Sequence, residues 1–146
     1  MSAAPHAGAE TVLHAGCVAW GGRGLLISGA SGSGKSGLAL SLMAMGCDLV
    51  ADDRTVILRQ GDALLADAPA SIAARIEARG LGILRADAVG PVPLALAVDL
   101  DRAETARLPP RRSVSHLGIA LPLAYGAENR HLAAAILQYL KAGRCA

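Results

Sequence analysis

The sequence contains no phenylalanine, one tryptophan and two tyrosines among its 146 residues. Its core must therefore be built from Ala, Leu, Ile and Val, and stacking of nucleic-acid bases on aromatic side chains has little support. A formal net charge of +2 is too small to indicate a nucleic acid or a membrane surface as a partner. No apolar run approaches the roughly 20 residues that cross a bilayer, and residues 1–11 lack the features of a signal peptide. We therefore predict a cytoplasmic protein that binds neither nucleic acid nor membranes.

The chain has few cysteines, and no two of them lie close together in the sequence. Cys17, Cys47 and Cys145 are odd in number and lack the close pairs of a metal site, so we predict three free thiols, with two buried and Cys145 exposed. Hydrophobic residues are 53% and charged residues 18%, which excludes a disordered chain. The length suffices for one well-buried core. We predict a loose leader over residues 1–10 and a single domain over residues 11–146.

One glycine-rich stretch fits the phosphate-binding pattern G-x-x-x-x-G-K-[ST], the P-loop or Walker A motif, without a gap. An apolar run at 25–27 precedes it, and apolar residues at helical spacing follow it. The motif consists of Gly29, Ala30, Ser31, Gly32, Ser33, Gly34, Lys35 and Ser36. Its setting of strand, loop and helix predicts nucleotide binding. The alternative is a flexible Gly/Ser turn, but all the fixed positions of the motif would then have to match the phosphate-binding pattern by chance.

The residue types of this loop suit that chemistry. Glycines allow successive backbone N–H groups to turn toward phosphate oxygens. Lys35 can place its charge on the β and γ phosphates, and the Ser36 hydroxyl is the usual ligand to the bridging Mg²⁺. A helix beginning near Lys35 would point its positive dipole end at the same anion.

Hydrophobic periodicity and turn residues predict a mixture of strands and helices along the chain. We predict strands at 12–20, 25–28, 48–51, 92–98 and 114–123, a hairpin of strands 55–58 and 63–66, helices at 35–45 and 129–141, and a polar surface loop at 102–113. The helix at 35–45 should end at Gly46, and the strand at 92–98 runs into Asp99 and Asp101. The fold class is therefore α/β.

Paired carboxylates, Asp52 and Asp53, follow the strand at 48–51. If this strand is parallel to the strand at 25–28, a right-handed crossover brings both carboxylates beside the phosphate loop. The alternative is an ordinary turn or helix cap. A later segment, 76–84, combines Glu77, Arg79 and two glycines within apolar sequence, which predicts close approach of its backbone to a ligand or another chain rather than an ordinary strand.

Three blocks resemble the catalytic domain of the HPr kinase/phosphorylase family, which phosphorylates a serine of the small phosphocarrier protein HPr. They are the motif at 29–36, the strand end at 49–54 with Asp52 and Asp53, and the segment 76–83, which is similar to the family signature. The similarity runs from about His14 to Lys141 and corresponds to a short form with only the C-terminal catalytic domain. The resemblance implies a P-loop kinase domain of the HPr kinase/phosphoenolpyruvate carboxykinase type, with a mixed sheet and flanking helices.

The resemblance also implies roles for matching residues. Asp52 would be the general base that accepts the serine proton, with Lys35 and His14 as its catalytic neighbours. Asp53 and Glu77 would join Ser36 in holding Mg²⁺, and Arg79, in the signature loop, would contact the nucleotide. The alternatives are a strand histidine held by backbone for His14, and a surface ion pair for Glu77 and Arg79. ATP is the expected donor, with pyrophosphate as an alternative, and HPr or an HPr-like carrier is the expected partner of a homo-oligomer, a hexamer in the family.

The stretch 121–130 departs from the family. It has no basic residue between Pro122 and Glu128, where the family's loop usually reads Pro-Val-x-x-Gly-Arg-Asn. We therefore expect the reverse, phosphorylase activity to be weakened or absent. Gly37 also replaces an acidic residue that many relatives carry. Two other functions remain open: a nucleotide-sensing module without turnover, and a P-loop kinase of a small molecule.

Overall fold

The computed structural model describes residues 9–146. Within them lie eleven strands, one short 3-10 turn and two helices. In chain order these are β1 (Glu10–Leu13), β2 (Gly16–Trp20), β3 (Arg23–Ser28), α1 (Lys35–Ala44), β4 (Asp48–Ala51), β5 (Thr55–Gln60), β6 (Ala63–Asp67), the 3-10 turn (Ala70–Ile72), β7 (Arg75–Ala78), β8 (Gly82–Arg85), β9 (Val92–Asp99), β10 (Arg112–His116), β11 (Ile119–Tyr125) and α2 (Leu132–Ala142).

Nine of these strands form one mixed sheet in the order β1-β5-β6-β9-β3-β2-β4, with β11 paired to β9 and β10 paired to β11. The pairs β3–β9 and β9–β11 are parallel. Both β3 and β4 are antiparallel to β2, so they run in the same direction although β2 separates them. The carboxyl ends of β3, β4, β9 and β11 therefore meet at one edge of the sheet, which confirms the predicted placement of Asp52 and Asp53.

The central strands are buried on both faces, which is why they read as continuous apolar runs. Leu25 and Ile27 of β3 belong to the cluster under the helices, together with Leu42 of α1 and Leu140 of α2. Leu26, between them, belongs to a second cluster on the opposite face of the sheet. The predicted apolar face of the closing helix is confirmed, because its members Leu132, Ile136 and Leu140 are all buried.

Trp20 lies at the end of β2, where the ends of both helices meet. A Cβ atom at Gly46 would lie 3.0 Å from Cζ3 of the indole. The Lys141 ammonium of α2 lies 4.8 Å from the ring centroid. Gly46 has φ 108°, so this position needs glycine for its conformation as well as for the close approach, and α1 ends here as predicted.

Four segments differ from the predictions. The strand predicted at 12–20 is two strands, β1 and β2, which pair with different partners. The strand predicted at 114–123 is the hairpin β10–β11, whose turn residues Leu117 and Gly118 have φ of 51° and 80°. The segment 76–84, which we expected not to be ordinary strand, is the hairpin β7–β8, with Gly80 at φ 88° in its turn. The closing helix also begins at Leu132, three residues later than predicted.

The remaining predictions about the chain concern its termini and thiols. Residues 1–8 of the predicted leader lie outside the described residues, and Glu10 belongs to β1. Cys17 and Cys47 are buried and Cys145 is exposed, as predicted. Burial raises the pKa of both buried thiols above the usual value for cysteine. None of the helices within residues 9–146 is long and apolar enough to cross a membrane.

Candidate active site

The phosphate loop joins the end of β3 to the start of α1, as the motif predicts. Gly29, Gly32 and Gly34 have φ of 153°, 84° and 101°, a region that favours glycine. The ammonium of Lys35 donates hydrogen bonds to the carbonyl oxygens of Gly29, at 2.7 Å, and Ala30, at 3.1 Å. The only basic side chain of the motif is thus held, nearly buried, against the loop itself.

The hydroxyl of Ser33 is buried inside this loop and has no hydrogen-bond partner within the part of the chain that the structure describes. A buried polar group without a partner is costly, so such groups in native proteins are usually satisfied by a ligand, an ion or water. The unpartnered hydroxyl fits a loop that completes its hydrogen bonds with phosphate oxygens.

Asp52 lies beside the loop and is fixed by two donors. The Ser36 hydroxyl donates to Oδ1 at 2.8 Å, and the backbone N–H of Glu77 donates to Oδ2 at 2.9 Å. One contact comes from the start of α1 and the other from the β7–β8 hairpin. The carboxylate is therefore half-buried and held in one orientation at the helix N-terminus. A carboxylate and a hydroxyl in contact provide the oxygen donors that Mg²⁺ takes together with substrate phosphates.

Asp53 points elsewhere, because its backbone has φ 67°. Its Oδ1 lies 2.7 Å from Nε2 of His14, and both side chains are more than half exposed. His14 is thus close to the acidic pair through Asp53 and contacts a side chain rather than backbone. Asp52, not Asp53, contacts Ser36.

Glu77 and Arg79 belong to the β7–β8 hairpin and are exposed. Glu77 approaches Asp52 through its backbone N–H, while Arg79 lies in the turn. Among residues 9–146, no three His, Cys, Asp or Glu side chains are grouped closely enough to hold a metal ion by themselves. Of the predicted set, Ser36 contacts Asp52 and Asp53 contacts His14, and binding of Mg²⁺ by Ser36, Asp53 and Glu77 stays a prediction.

The sequence interpretation missed a contact on the other side of the loop. The backbone N–H of Ala30 donates to both carboxylate oxygens of Asp101, at 2.9 and 3.1 Å. The N–H of Asp101 donates in turn to Oδ1 of Asp99, at 2.8 Å. Asp99 is the last residue of β9, the parallel neighbour of β3, and Asp101 follows it. Acidic residues at the carboxyl end of a strand next to β3 could have indicated this contact from the sequence. Asp101 fixes the first variable residue of the phosphate loop.

Comparison with known proteins decides the family. Residues 6–90 match the family model described as the HPr Serine kinase C-terminal domain, and this match covers more than half of the chain. The chain belongs to this family. All of the site residues named above except Asp99 and Asp101 fall within the matched residues, so the HPr kinase family assignment rests on the region that carries the phosphate loop and Asp52.

Curated HPr kinase relatives are also similar to part of this chain. The chain is 42% identical over 99 residues to the HPr kinase/phosphorylase of Halalkalibacterium halodurans, covering 62% of this chain and 32% of the relative. It is 47% identical over 75 residues to the HPr kinase/phosphorylase of an Exiguobacterium species, covering 51% of this chain and 24% of the relative. The aligned parts thus span a third or less of the length of these HPr kinase relatives.

A solved structure shows the same fold. The Hpr(Ser) kinase/phosphatase from Coxiella burnetii superposes with a TM-score of 0.78, covering 90% of this chain and 88% of that chain at 23% identity. The α/β fold expected from the resemblance, a mixed sheet with flanking helices, is therefore confirmed.

Proposed function

We propose that this chain transfers the γ-phosphoryl group of MgATP to a serine hydroxyl of HPr or an HPr-like carrier protein. The observation that carries the proposal is the contact between the Asp52 carboxylate and the Ser36 hydroxyl, at 2.8 Å, beside a complete phosphate loop. Membership of the HPr kinase family and the names of the curated relatives support the choice of acceptor.

Each residue of the site has its own role in the proposed phosphoryl transfer. The backbone N–H groups of the loop and the Ser33 hydroxyl bind phosphate oxygens, and Lys35 leaves its carbonyl partners to neutralise charge on the transferred group. Ser36 and Asp52 would provide oxygen ligands for Mg²⁺, which would offset the charge of the phosphates. Asp52 also accepts the serine proton, because its carboxylate is the one held beside the loop.

The His14–Asp53 pair and the β7–β8 hairpin have supporting roles in this proposal. His14 orients Asp53, which is placed to bind water around Mg²⁺ and not to replace Asp52. Arg79, exposed in the hairpin turn, is free to approach the nucleotide phosphates or the acceptor. Pyrophosphate remains the alternative donor, because a phosphate loop recognises phosphates and not the base. We expect the phosphorylase direction to be weakened, and the assembly to be a homo-oligomer.

The test is transfer of label from [γ-³²P]ATP with Mg²⁺ to the HPr of the same organism. Wild type is compared with Asp52→Asn and with Asp62→Asn, a matched change in the exposed β5–β6 turn. We expect labelled phosphoserine from wild type and Asp62→Asn, and a rate about 10²–10⁴-fold lower for Asp52→Asn. Isothermal titration with ATP in the absence of Mg²⁺ should show affinities that agree within about threefold, because the change leaves the phosphate loop intact and no metal ion is bound in that measurement.

The other outcomes separate the alternatives. MgATP binding without any labelled HPr from wild type would favour the nucleotide-sensing module. ATP consumption that depends on an added small metabolite and not on HPr would favour a small-molecule kinase. Equal transfer by wild type and Asp52→Asn would remove Asp52 from the role of base. Replacing ATP with labelled pyrophosphate in the same assay decides the donor.

A further inference from the structure

A large cleft lies at the opposite end of the sheet edge from Asp52. It has a volume of about 980 Å³ and is enclosed by the loop between β9 and β10, by β11, and by the start of α2. The strand order from Asp52 to the cleft is β4-β2-β3-β9-β11, so four strand spacings of about 4.8 Å place it roughly 19 Å from Asp52. The proposed phosphoryl transfer leaves this cleft without a role.

Five arginines line this cleft, which we call the arginine cleft: Arg107, Arg111, Arg112, Arg130 and Arg144. Two glutamates also line it, so the cleft carries more positive charge than the net +2 of the whole chain. This local excess of positive charge in a nearly neutral protein indicates an anionic occupant.

Most of these guanidinium groups are available to a ligand. Arg112 is paired with Glu104 by two hydrogen bonds of 3.1 Å and lies 4.3 Å from the centroid of the Tyr125 ring. Arg107, Arg111 and Arg130 take part in none of the ion pairs found within residues 9–146. Arg144 donates hydrogen bonds to the carbonyl oxygens of Pro109 and Ala146. Arg112 and Arg144 are thus fixed parts of the wall, and the other three are free to bind carboxylate, sulfonate or phosphate oxygens.

The floor of the cleft is apolar. Leu96, Leu132 and Ile136 are buried there, and the half-buried Tyr139 adds an aromatic surface. A purely charged ligand, such as inorganic phosphate or a polyhydroxylated sugar phosphate, would leave this floor without complementary contacts. The start of α2 adds to the preference for an anion, since its capping residue makes no side-chain hydrogen bond to the helix amides.

We propose that the arginine cleft binds a small organic anion. Its acidic group is held by the guanidinium groups of Arg107, Arg111 and Arg130, and its apolar or aromatic body rests on Leu132, Ile136 and Tyr139. The volume of the cleft lies at the upper end of the range for small-molecule sites, about 300–1,000 Å³. The site is separate from the phosphate loop, so the proposal does not depend on the nature of the phosphoryl acceptor.

The test uses a pair of probes that differ only in charge. 8-Anilinonaphthalene-1-sulfonate carries an anion on an aromatic body, whereas N-phenyl-1-naphthylamine has the same body without the sulfonate. We expect the sulfonate probe to bind the full chain saturably at one site, and the neutral probe to bind about tenfold more weakly because it forms no charge-assisted hydrogen bonds. Binding is followed by fluorescence, and amide chemical shifts of α2 locate the site.

Three variants define the site further. Arg130→Glu and Ala135→Phe, at exposed cleft positions, should each weaken binding of the sulfonate probe about tenfold, the first by charge and the second by filling the cleft. Arg85→Glu, the same charge change on exposed β8, should leave it within about twofold, since that residue is outside the cleft. Having two cleft variants keeps the test valid if either fails to fold.

Four results would overturn the proposal. They are non-saturable binding, equal affinity of the two probes, equal weakening by Arg85→Glu, and amide shifts confined to segments away from α2. Complete displacement of the probe by saturating MgATP would also overturn it, since the cleft would then be part of the nucleotide site. Tight binding of an acidic peptide with no binding of the sulfonate probe would assign the cleft to a protein partner instead.

Discussion

The two ends of the carboxyl edge of the sheet differ in how their charges are satisfied. At the phosphate loop, each charged group is already fixed: Lys35 by two carbonyls, Asp52 by a hydroxyl and an N–H, and Asp101 by the N–H of Ala30. In the arginine cleft, most charges have no partner in the described structure. The first end is preorganised for one reaction geometry, whereas the second offers charge and apolar surface to a range of organic anions.

Removing the lysine of the phosphate loop should produce the largest difference between the two ends, because it should change nucleotide affinity without changing the affinity of the arginine cleft for the probe. We expect Lys35→Ala to weaken MgATP binding about 10³-fold, because the motif's cation is lost from a partly enclosed site. Binding of the sulfonate probe to the arginine cleft should stay within about twofold, since Lys35 does not line the cleft and its ammonium is held against the phosphate loop. Isothermal titration and probe fluorescence measure the two affinities.

The control for this change is Lys141→Ala, which removes the only other lysine of the chain. It should leave MgATP affinity unchanged, because Lys141 lies over Trp20 and away from the loop. Equal effects of the two variants would mean that overall charge, and not the position of Lys35, governs nucleotide binding.

The second prediction concerns α2, whose core face supports both ends. Leu140 is fully buried beneath the sheet, so Leu140→Ala should lower the free energy of unfolding by about 3 kcal/mol through lost burial and a cavity. Urea denaturation followed by circular dichroism measures this change. Gln138→Ala, on the exposed face of α2, should alter stability by less than about 0.5 kcal/mol. A similar loss for both variants would show that helix propensity, not packing, sets the stability of α2.

The smallest effect should come from the wall of the arginine cleft. The hydrogen bond from Arg112 lowers the pKa of the Glu104 carboxyl, with a further contribution from the N–H of Ala106. A lowered pKa in the folded state gives stability that is present above the ordinary glutamate pKa of about 4.3 and is lost as the pH falls through the folded value. The melting temperature of wild type should therefore exceed that of Glu104→Gln at pH 7, and the gap should close below about pH 4.

Glu128→Gln is the control for this prediction, since Glu128 lines the same cleft without contacting Arg112. The difference in melting temperature between wild type and Glu128→Gln should not decrease as the pH is lowered. Glu104→Gln should also bind the sulfonate probe somewhat more tightly at pH 7, because Arg112 becomes available to it. A gap that persists unchanged to pH 3 would contradict the role of the ion pair.

The phosphate loop and Asp52 could be predicted because the information is local. The motif at 29–36 specifies the loop, and the position of Asp52 follows once two short strands are taken as parallel. The Ala30–Asp101 and Glu77–Asp52 contacts join segments far apart in the sequence through backbone N–H groups, which no residue pattern identifies. The residues of the site could therefore be predicted from the sequence, whereas the hydrogen bonds between them could be identified only in the folded structure.

The late part of the fold was harder to predict for an identifiable reason. The turn at Leu117 has φ 51°, a conformation that is uncommon for an apolar residue, so the residue type does not identify a turn. Because the apolar pattern of 114–123 also continues across Leu117, the sequence predicts one strand there. The arginine cleft was missed because its residues come from four separate segments, each of which looks like an ordinary solvated surface. Only the pairing of β9 with β11 and the packing of α2 bring them together.

The placement of Trp20 has an optical consequence. As the only tryptophan of the chain, it is the single strong intrinsic fluorophore, and it lies beside Gly46, just after α1, and Lys141, in the last turn of α2. Its emission therefore reports whether the two helix ends remain together on the sheet. Separation of α2 removes the Lys141 ammonium from the indole, so a change in indole emission that precedes the loss of helical signal would reveal undocking of α2 as a distinct step.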